Sequence, residues 1–228
     1  MAKKPNAWLS WSSGKDSAWA LHIIRQRDDF EIAALLTTVN EKYHRVAMHA
    51  VRESILEQQA ASAGIPLVKI PIPSPCPNEV YERAMAAAMA QARSQGIAHI
   101  VFGDLFLEDI RKYREENLAK CGMTAVFPLW LKNTRKLANE MIASGLRAYL
   151  SCVDPKKLDR SFAGRAFDKQ FLADLPAHVD PCGENGEFHT CVVAGPMFAS
   201  PIDVSVGEIV ERDGFVFADV VPALAALR

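Results

Sequence analysis

Ser12-Ser13-Gly14-Lys15-Asp16-Ser17 is the stretch on which the fold turns. Ahead of it, Ala7–Ser12 is short and apolar, as a buried strand requires. Behind it, Asp16 to Arg27 carries helical spacing, with Ala18, Leu21 and Ile24 on one face and Trp19 and Ile23 on the next. Asp16 or Ser17 is expected to cap the first turn. A strand, a small-residue loop with one glycine and a helix together suit an anion. Short side chains let backbone N–H groups approach it, and the helix start adds the positive end of its dipole. Lys15 adds a full charge, and the hydroxyls of Ser12, Ser13 and Ser17 add donors. The Walker pattern is excluded, because its upstream glycine is missing and Asp16 follows Lys15. The same hexapeptide also suits an N-capped helix with a solvated lysine.

Outward from the loop, strand and helix alternate. Ile32–Val39 reads as a strand with Thr37 and Thr38 at its carboxyl end, followed by a helix from about Met48 to Ala63 that stops at Gly64. Leu67–Ile70 is a third strand. Asn78 to Gln95 is a helix closed by Gly96, and Ala98–Phe102 is a fourth strand leading to Gly103-Asp104. This alternation predicts an α/β fold built on a doubly wound parallel sheet, whose ligands gather at the carboxyl ends of the strands. After a soft boundary near Trp130–Thr134 the pattern changes. A helix from Asn133 to Ser144, strands at Ala148–Val153 and Cys191–Val193, and a hairpin around Asp213-Gly214 predict a smaller α+β domain. The expected division is 1–130 and 131–228, with the two parts packed tightly.

Composition narrows the classes. The 228 residues carry 26 Lys and Arg against 27 Asp and Glu, a formal net charge of −1, with half the residues hydrophobic. That balance opposes a disordered tail and a basic nucleic-acid scaffold, so RNA is not an expected partner. The five cysteines contain no CxxC pair, which opposes a zinc ribbon and a disulfide framework. No signal peptide or membrane span is visible, and a cytoplasmic protein is expected.

A second polar concentration is Asp180-Pro-Cys-Gly-Glu184-Asn185-Gly186-Glu187-Phe188-His189-Thr190. By itself it reads equally as a site for a cation, ammonia or a substrate and as an ordinary loop turned at Asn185-Gly186. Together with Ser12–Ser17 it resembles a known pairing. The loop is similar to the S-G-G-K-D-S loop of the PP-loop (N-type) ATP pyrophosphatases, with Ser13 in place of the first glycine, on the expectation that its φ is not strongly positive. The later segment looks like the C-G-E-N-G-E-[FY]-H-T signature of the diphthine–ammonia ligase (diphthamide synthetase) family. Gly103-Asp104, Pro128-Leu129-Trp130 and the order of the motifs agree with it.

The resemblance implies a Rossmann-like, adenine nucleotide alpha hydrolase-like domain and ATP-dependent amide formation. A carboxylate is adenylated with release of pyrophosphate, and ammonia then displaces AMP. ATP would contact Ser12, Ser13, Gly14, Lys15, Asp16, Ser17, Thr37, Thr38 and Gly103, with Lys15 also stabilising the leaving pyrophosphate. Asp16 and Asp104 would hold Mg²⁺. Glu184, Glu187 and His189 would serve the acceptor or the ammonia and its proton, and Asn185, Gly186 and Thr190 would bind the acceptor. Asp104–Glu116 departs from the eukaryotic ligases, where this stretch has more polar and Gln/Arg character. Arg111 and Arg114, three apart, either meet a phosphate or carboxylate there or form a solvated ion-pair face. The length leaves no room for a glutaminase domain, so free ammonia is the expected nitrogen source.

The acceptor would be a modified residue of an elongation factor. If the 33 alanines mark a bacterium, it would instead be a small carboxylate such as a corrinoid. Competing classes are a tRNA-modifying PP-loop enzyme and a non-catalytic ATP sensor. A homodimer is compatible with the sequence.

Overall fold

Apart from one short turn, each of the first strands is joined to the next through a segment long enough to cross over, which is why the sheet they form is mostly parallel. The computed structural model describes residues 4–223. Its first half runs β1 (Asn6–Ser10), α1 (Lys15–Arg27), β2 (Glu31–Asn40), β3 (Arg45–Val46), α2 (Glu53–Ala63), β4 (Leu67–Ile72), α3 (Asn78–Ser94), β5 (His99–Val101), α4 (Glu108–Lys120) and β6 (Thr124–Val126). The parallel order is β4-β2-β1-β5-β6, with β3 antiparallel on β2. Pro71 is accommodated because β4 is an edge strand. The chain leaves β1 first toward β2 and later returns to its other side as β5, so the switch point of the sheet lies at the end of β1. The loop Ser12–Ser17 starts there.

The second half runs α5 (Thr134–Ala143), β7 (Arg147–Val153), α6 (Lys169–Asp174), β8 (Phe188–Ala194), β9 (Val204–Arg212) and β10 (Phe215–Pro222). Its four strands form an antiparallel sheet in the order β8-β7-β10-β9. The β9–β10 hairpin turns at Asp213-Gly214, both at positive φ (53° and 80°), as a type I′ turn needs.

Both faces of the parallel sheet are buried. Ala7, Leu9 and Trp11 share one core with Trp19 and Leu21 of α1 and with Leu150, Val192 and Val216 of the antiparallel sheet. Trp8, Ala34 and Ile100 face the other way, onto Met89 and Ala92 of α3 and Leu118 of α4. The first of these cores is continuous across both halves, so they pack tightly as expected.

Two local expectations change, and the charged stretch after Glu108 is filled in. The helix placed from Met48 begins only at Glu53, because residues 45–52 fold back on β2; Met48 and Ala50 take positive φ (63° and 55°), and Met48 is 70% exposed. The charged stretch after Glu108 is a regular helix, laced by Arg111–Glu115 and Lys112–Glu116 pairs. Neither Asp16 nor Ser17 caps α1. Gly14 is its N-cap, without a side-chain bond, and the Ser17 hydroxyl donates back to the Gly14 carbonyl at 3.0 Å.

One polar clamp joins the halves. Asp219 of β10 accepts hydrogen bonds from Arg45 Nη1 and Arg52 Nε, each at 2.9 Å on Oδ1. Burial alone would raise its pKa from 3.8, but the Arg52 and Arg45 bonds outweigh it and hold it at about 2. A carboxyl held low in the fold stabilises it above the unfolded value and loses that contribution as pH falls through the folded one. Asp219→Asn is therefore expected to cost about 1–3 kcal/mol at pH 7. The gap between wild type and variant, read from urea unfolding, should close between about pH 4 and about pH 2.

Candidate active site

The loop is shaped by what lies against it. Ser13 has φ +67°, contrary to the expectation of an ordinary φ, so the serine takes the left-handed conformation of the glycine it replaces. That costs about 1–2 kcal/mol, and neighbouring contacts hold it there. The Ser13 carbonyl accepts from Val192 N at 2.9 Å and from Gln59 Nε2 at 3.1 Å. Gln59, fully buried on α2, also donates to the Val192 carbonyl and accepts from Trp11 Nε1. One amide thus ties Trp11, just past β1, to the loop and β8. The Lys15 amide donates to Thr190 Oγ1 at 3.0 Å across 175 residues of sequence. Gly14 leaves little room for a side chain, since a Cβ there would lie 3.2 Å from both the Thr190 carbonyl and the His49 ring.

Lys15 does not reach into open space. It is only 2% exposed, and its ammonium donates to Asp16 Oδ2 at 2.8 Å and to the Cys182 carbonyl, with the rings of Phe188 and Phe167 at 5.3 and 5.7 Å. Burial alone would lower its pKa, but Asp16 above all, with Cys182 and Glu184, raises it, so the lysine is charged. Asp104 and Asp180 lie near the Asp16 carboxylate, and Asp16 and Asp104 lie near that of Glu184. Glu184 Oε1 accepts from Leu105 N at 2.7 Å, and burial, reinforced by Asp16 and Asp104 and opposed by that hydrogen bond, pushes its pKa up to about 7.

Gly103 sets how tightly these groups pack. A Cβ on it would fall 2.7 Å from the Asp16 carbonyl carbon and 2.8 Å from Ser17 N. Both are backbone atoms at the start of α1 and neither can swing aside. Gly103→Ala is expected to cost ~1–3 kcal/mol of stability, measured by thermal unfolding.

The rest of the signature divides into two roles. Glu187 Oε1 accepts from Asp180 N and from Asn185 Nδ2, each at 3.0 Å, so this buried carboxylate, the exposed Asn185 and Gly186 (φ +79°) form the internal frame of the turn. His189 instead lies against His49, the two rings tilted by 42° with centroids 4.4 Å apart. Burial lowers both imidazoles, His189 to about 4, so the pair is neutral at pH 7.

Beside the loop, a cleft of about 710 Å³ lies between the parallel sheet and helices α3 and α4. Ser12, Thr38, His49, Tyr81, Phe102 and Arg114 are among the residues that line it. Its volume is that of a small-molecule site. Thr37 points the other way, donating to the Trp11 carbonyl at 2.8 Å, and serves the join of β1 to β2. Arg114 binds Asp104 Oδ1 through Nε at 3.1 Å and Nη2 at 3.0 Å and lies over the Phe102 ring. Arg111 turns to Glu115 and Trp130, so the two arginines do not act together. Among the described residues no group of three or more His, Cys, Asp or Glu side chains is arranged to hold a metal ion. Gln59, His49 and Tyr81 are additions that sequence reasoning missed.

A phosphate-type loop at the switch point of a parallel sheet, roofed by a strand from an antiparallel domain, defines a PP-loop nucleotide-binding architecture. The chain belongs to the diphthamide synthase family: residues 6–125 match the diphthamide synthase N-terminal domain and residues 133–219 the diphthamide synthase C-terminal domain. Among curated relatives, the diphthine–ammonia ligase of Schizosaccharomyces pombe is 34% identical over 111 residues, covering 46% of this chain and 18% of that protein. Those of Bos taurus and Homo sapiens are each 32% identical over 120 residues, covering 50% of this chain and 45% of theirs. The chain thus spans less than half the length of these relatives. No helix among the described residues is long and apolar enough to cross a membrane.

Proposed function

We propose that the chain is an ATP-dependent amide-forming ligase of the diphthine–ammonia ligase kind. A substrate carboxylate attacks the α-phosphate of ATP, pyrophosphate leaves, and ammonia then attacks the acyl carbon of the adenylate and expels AMP. The observation that carries this reading is the joining of the two motifs. The loop lysine bonds Thr190 through its amide and Cys182 through its ammonium, so phosphate loop and signature form one site. A helix N-terminus supplies donors for the pyrophosphate, and the adjoining cleft has room for the nucleoside along Ser12 and Thr38. Residues 1–130 are the proposed ATP-binding part and residues 131–228 the acceptor part.

Magnesium fits the residues present. Asp16 Oδ1 is buried without a hydrogen-bond partner, and Asp104 lies near it, next to the Gly103 that packs on Asp16. Two carboxylates completed by phosphate oxygens are a set this ion accepts. When bound, it would neutralise charge on the phosphates. Lys15 is buried behind the loop and does not line the cleft, so its charge would act on the departing pyrophosphate through the loop. Glu184, half-buried and close to neutral pH in its titration, is the group best suited to take the proton that the attacking ammonia must lose.

Labelled ATP with magnesium, ammonium and a diphthine-bearing protein tests the reaction. AMP, pyrophosphate and amide in equal amounts are expected, whereas ADP with phosphate would sink the proposal.

A further inference from the structure

With the nucleoside along Ser12 and Thr38, the side of the cleft between α3 and α4 remains for a second ligand. Tyr113, Arg114, Asn117, Leu118 and Cys121 follow the spacing of one helical face, and all of them line the cleft. Tyr81 of α3 stands near Arg114 and Tyr113 and lines it as well. Tyr113 is 47% exposed, so this side of the cleft reaches the surface.

Arg114 connects that side to the phosphate loop. Its Nε and Nη2 donate to Asp104 Oδ1. Asp104 follows Gly103, which packs on the backbone of Asp16 and Ser17, and the Asp104 and Asp16 carboxylates lie near each other. The guanidinium thus reaches the start of α1 through an ion pair and a glycine contact. Asp104 does not line the cleft, whereas Arg114 does. What Arg114 does not spend on Asp104 is its end: Nη1 has no hydrogen-bond partner among the described residues, and Nη2 keeps a second hydrogen. The Phe102 ring, 4.3 Å from the guanidinium carbon, supports the plane of this fork. Such a fork matches a carboxylate, with Asp104 held on one edge and a ligand on the other. The other cation of the lining, Lys120, is exposed and donates to Asn117.

We propose that Arg114 receives the acceptor carboxylate on its free end, and that the acceptor enters between α3 and α4 with Tyr81 and Tyr113 along its body. The assignment rests on the ligase reading, since it is that reaction which needs a carboxylate beside the nucleotide. It brings the carboxylate into the same cleft as the nucleotide, with Gly103 and Asp104 linking its cation to the loop. Arg114 then lies between two carboxylates and offsets their repulsion.

Glutarate is the probe, titrated by saturation-transfer NMR onto the full chain and onto Arg114→Ala and Arg114→Lys. The titrations are run with and without the α,β-methylene analogue of ATP, which cannot release pyrophosphate. Millimolar binding is expected in the wild type, weakened at least ~10-fold in Arg114→Ala. Arg114→Lys still neutralises Asp104 but loses the fork, and should weaken glutarate at least ~3-fold. It carries the test alone if Arg114→Ala fails to fold. The analogue should bind the wild type and Arg114→Lys alike and leave glutarate bound. No glutarate binding by the wild type, or binding unchanged in Arg114→Lys, would overturn the assignment. Displacement of glutarate by the analogue would also overturn it and give Arg114 to a phosphate of the nucleotide. Products formed from ATP itself are scored separately: release of ADP in place of AMP removes the ligase reading, whatever the binding data give.

Discussion

Lys15→Ala is expected to abolish AMP formation, by at least ~10³-fold, and also to lower stability by about 3–5 kcal/mol. The second effect follows from burial. Lys15 is enclosed by Asp16, the Cys182 carbonyl and two aromatic rings, and its removal leaves the Asp16 carboxylate without its counter-charge. A lost activity would then have two explanations, a missing catalytic charge or a partly unfolded protein. Lys15→Met combined with Asp16→Asn separates them. That pair keeps the packing and removes both charges, so most of the stability should return in urea unfolding. Turnover should stay absent, because the field at the leaving pyrophosphate and one proposed magnesium ligand are both gone. Retention of AMP formation in the double variant would overturn the catalytic role of Lys15 and leave it as a structural tie between loop and signature.

The β1–loop–α1 unit was legible because its signals are local: an apolar strand, small residues and a helical stripe follow one another without a gap. The same holds for the Asp213-Gly214 turn, where residue type and required φ coincide. What escaped depends on contacts between distant segments. His49 lies in a stretch whose apolar spacing suggested a helix, yet Met48 faces solvent and the chain there turns back on β2. Gln59 reads as the polar face of a helix, and only β8 packing over the loop makes that face interior. Thr37 and Thr38 illustrate the limit of strand periodicity. Alternation says that they point to opposite sides, but which side faces the cleft is decided by where α3 and α4 pack. The serine at position 13 is a different case. Its left-handed backbone is imposed by Val192 and Gln59, neither of which is near it in sequence.

Glu184→Gln is expected to stabilise the fold while stopping the reaction. The amide oxygen can still accept from Leu105 N, so the local geometry is kept. The charge beside Asp16 and Asp104 is removed. Because the folded pKa, about 7, lies above the ordinary 4.5, the fold binds this proton more tightly than the unfolded chain does. Ionising Glu184 therefore costs stability, and the cost grows as pH rises from about 4.5 through about 7. The variant escapes it: at pH 8 it should gain about 1–2 kcal/mol over the wild type, and at pH 4 it should gain nothing. Activity should move the other way. Without a group to take the proton of ammonia, amide formation should fall ~10²–10⁴-fold, while ATP still binds and AMP is still released by hydrolysis of the adenylate. The rise of kcat/KM through neutral pH should disappear with it. If the variant forms amide at the wild-type rate, Glu184 is not the base. If stability shows no gain at pH 8, the carboxylate cluster is less crowded than its burial implies.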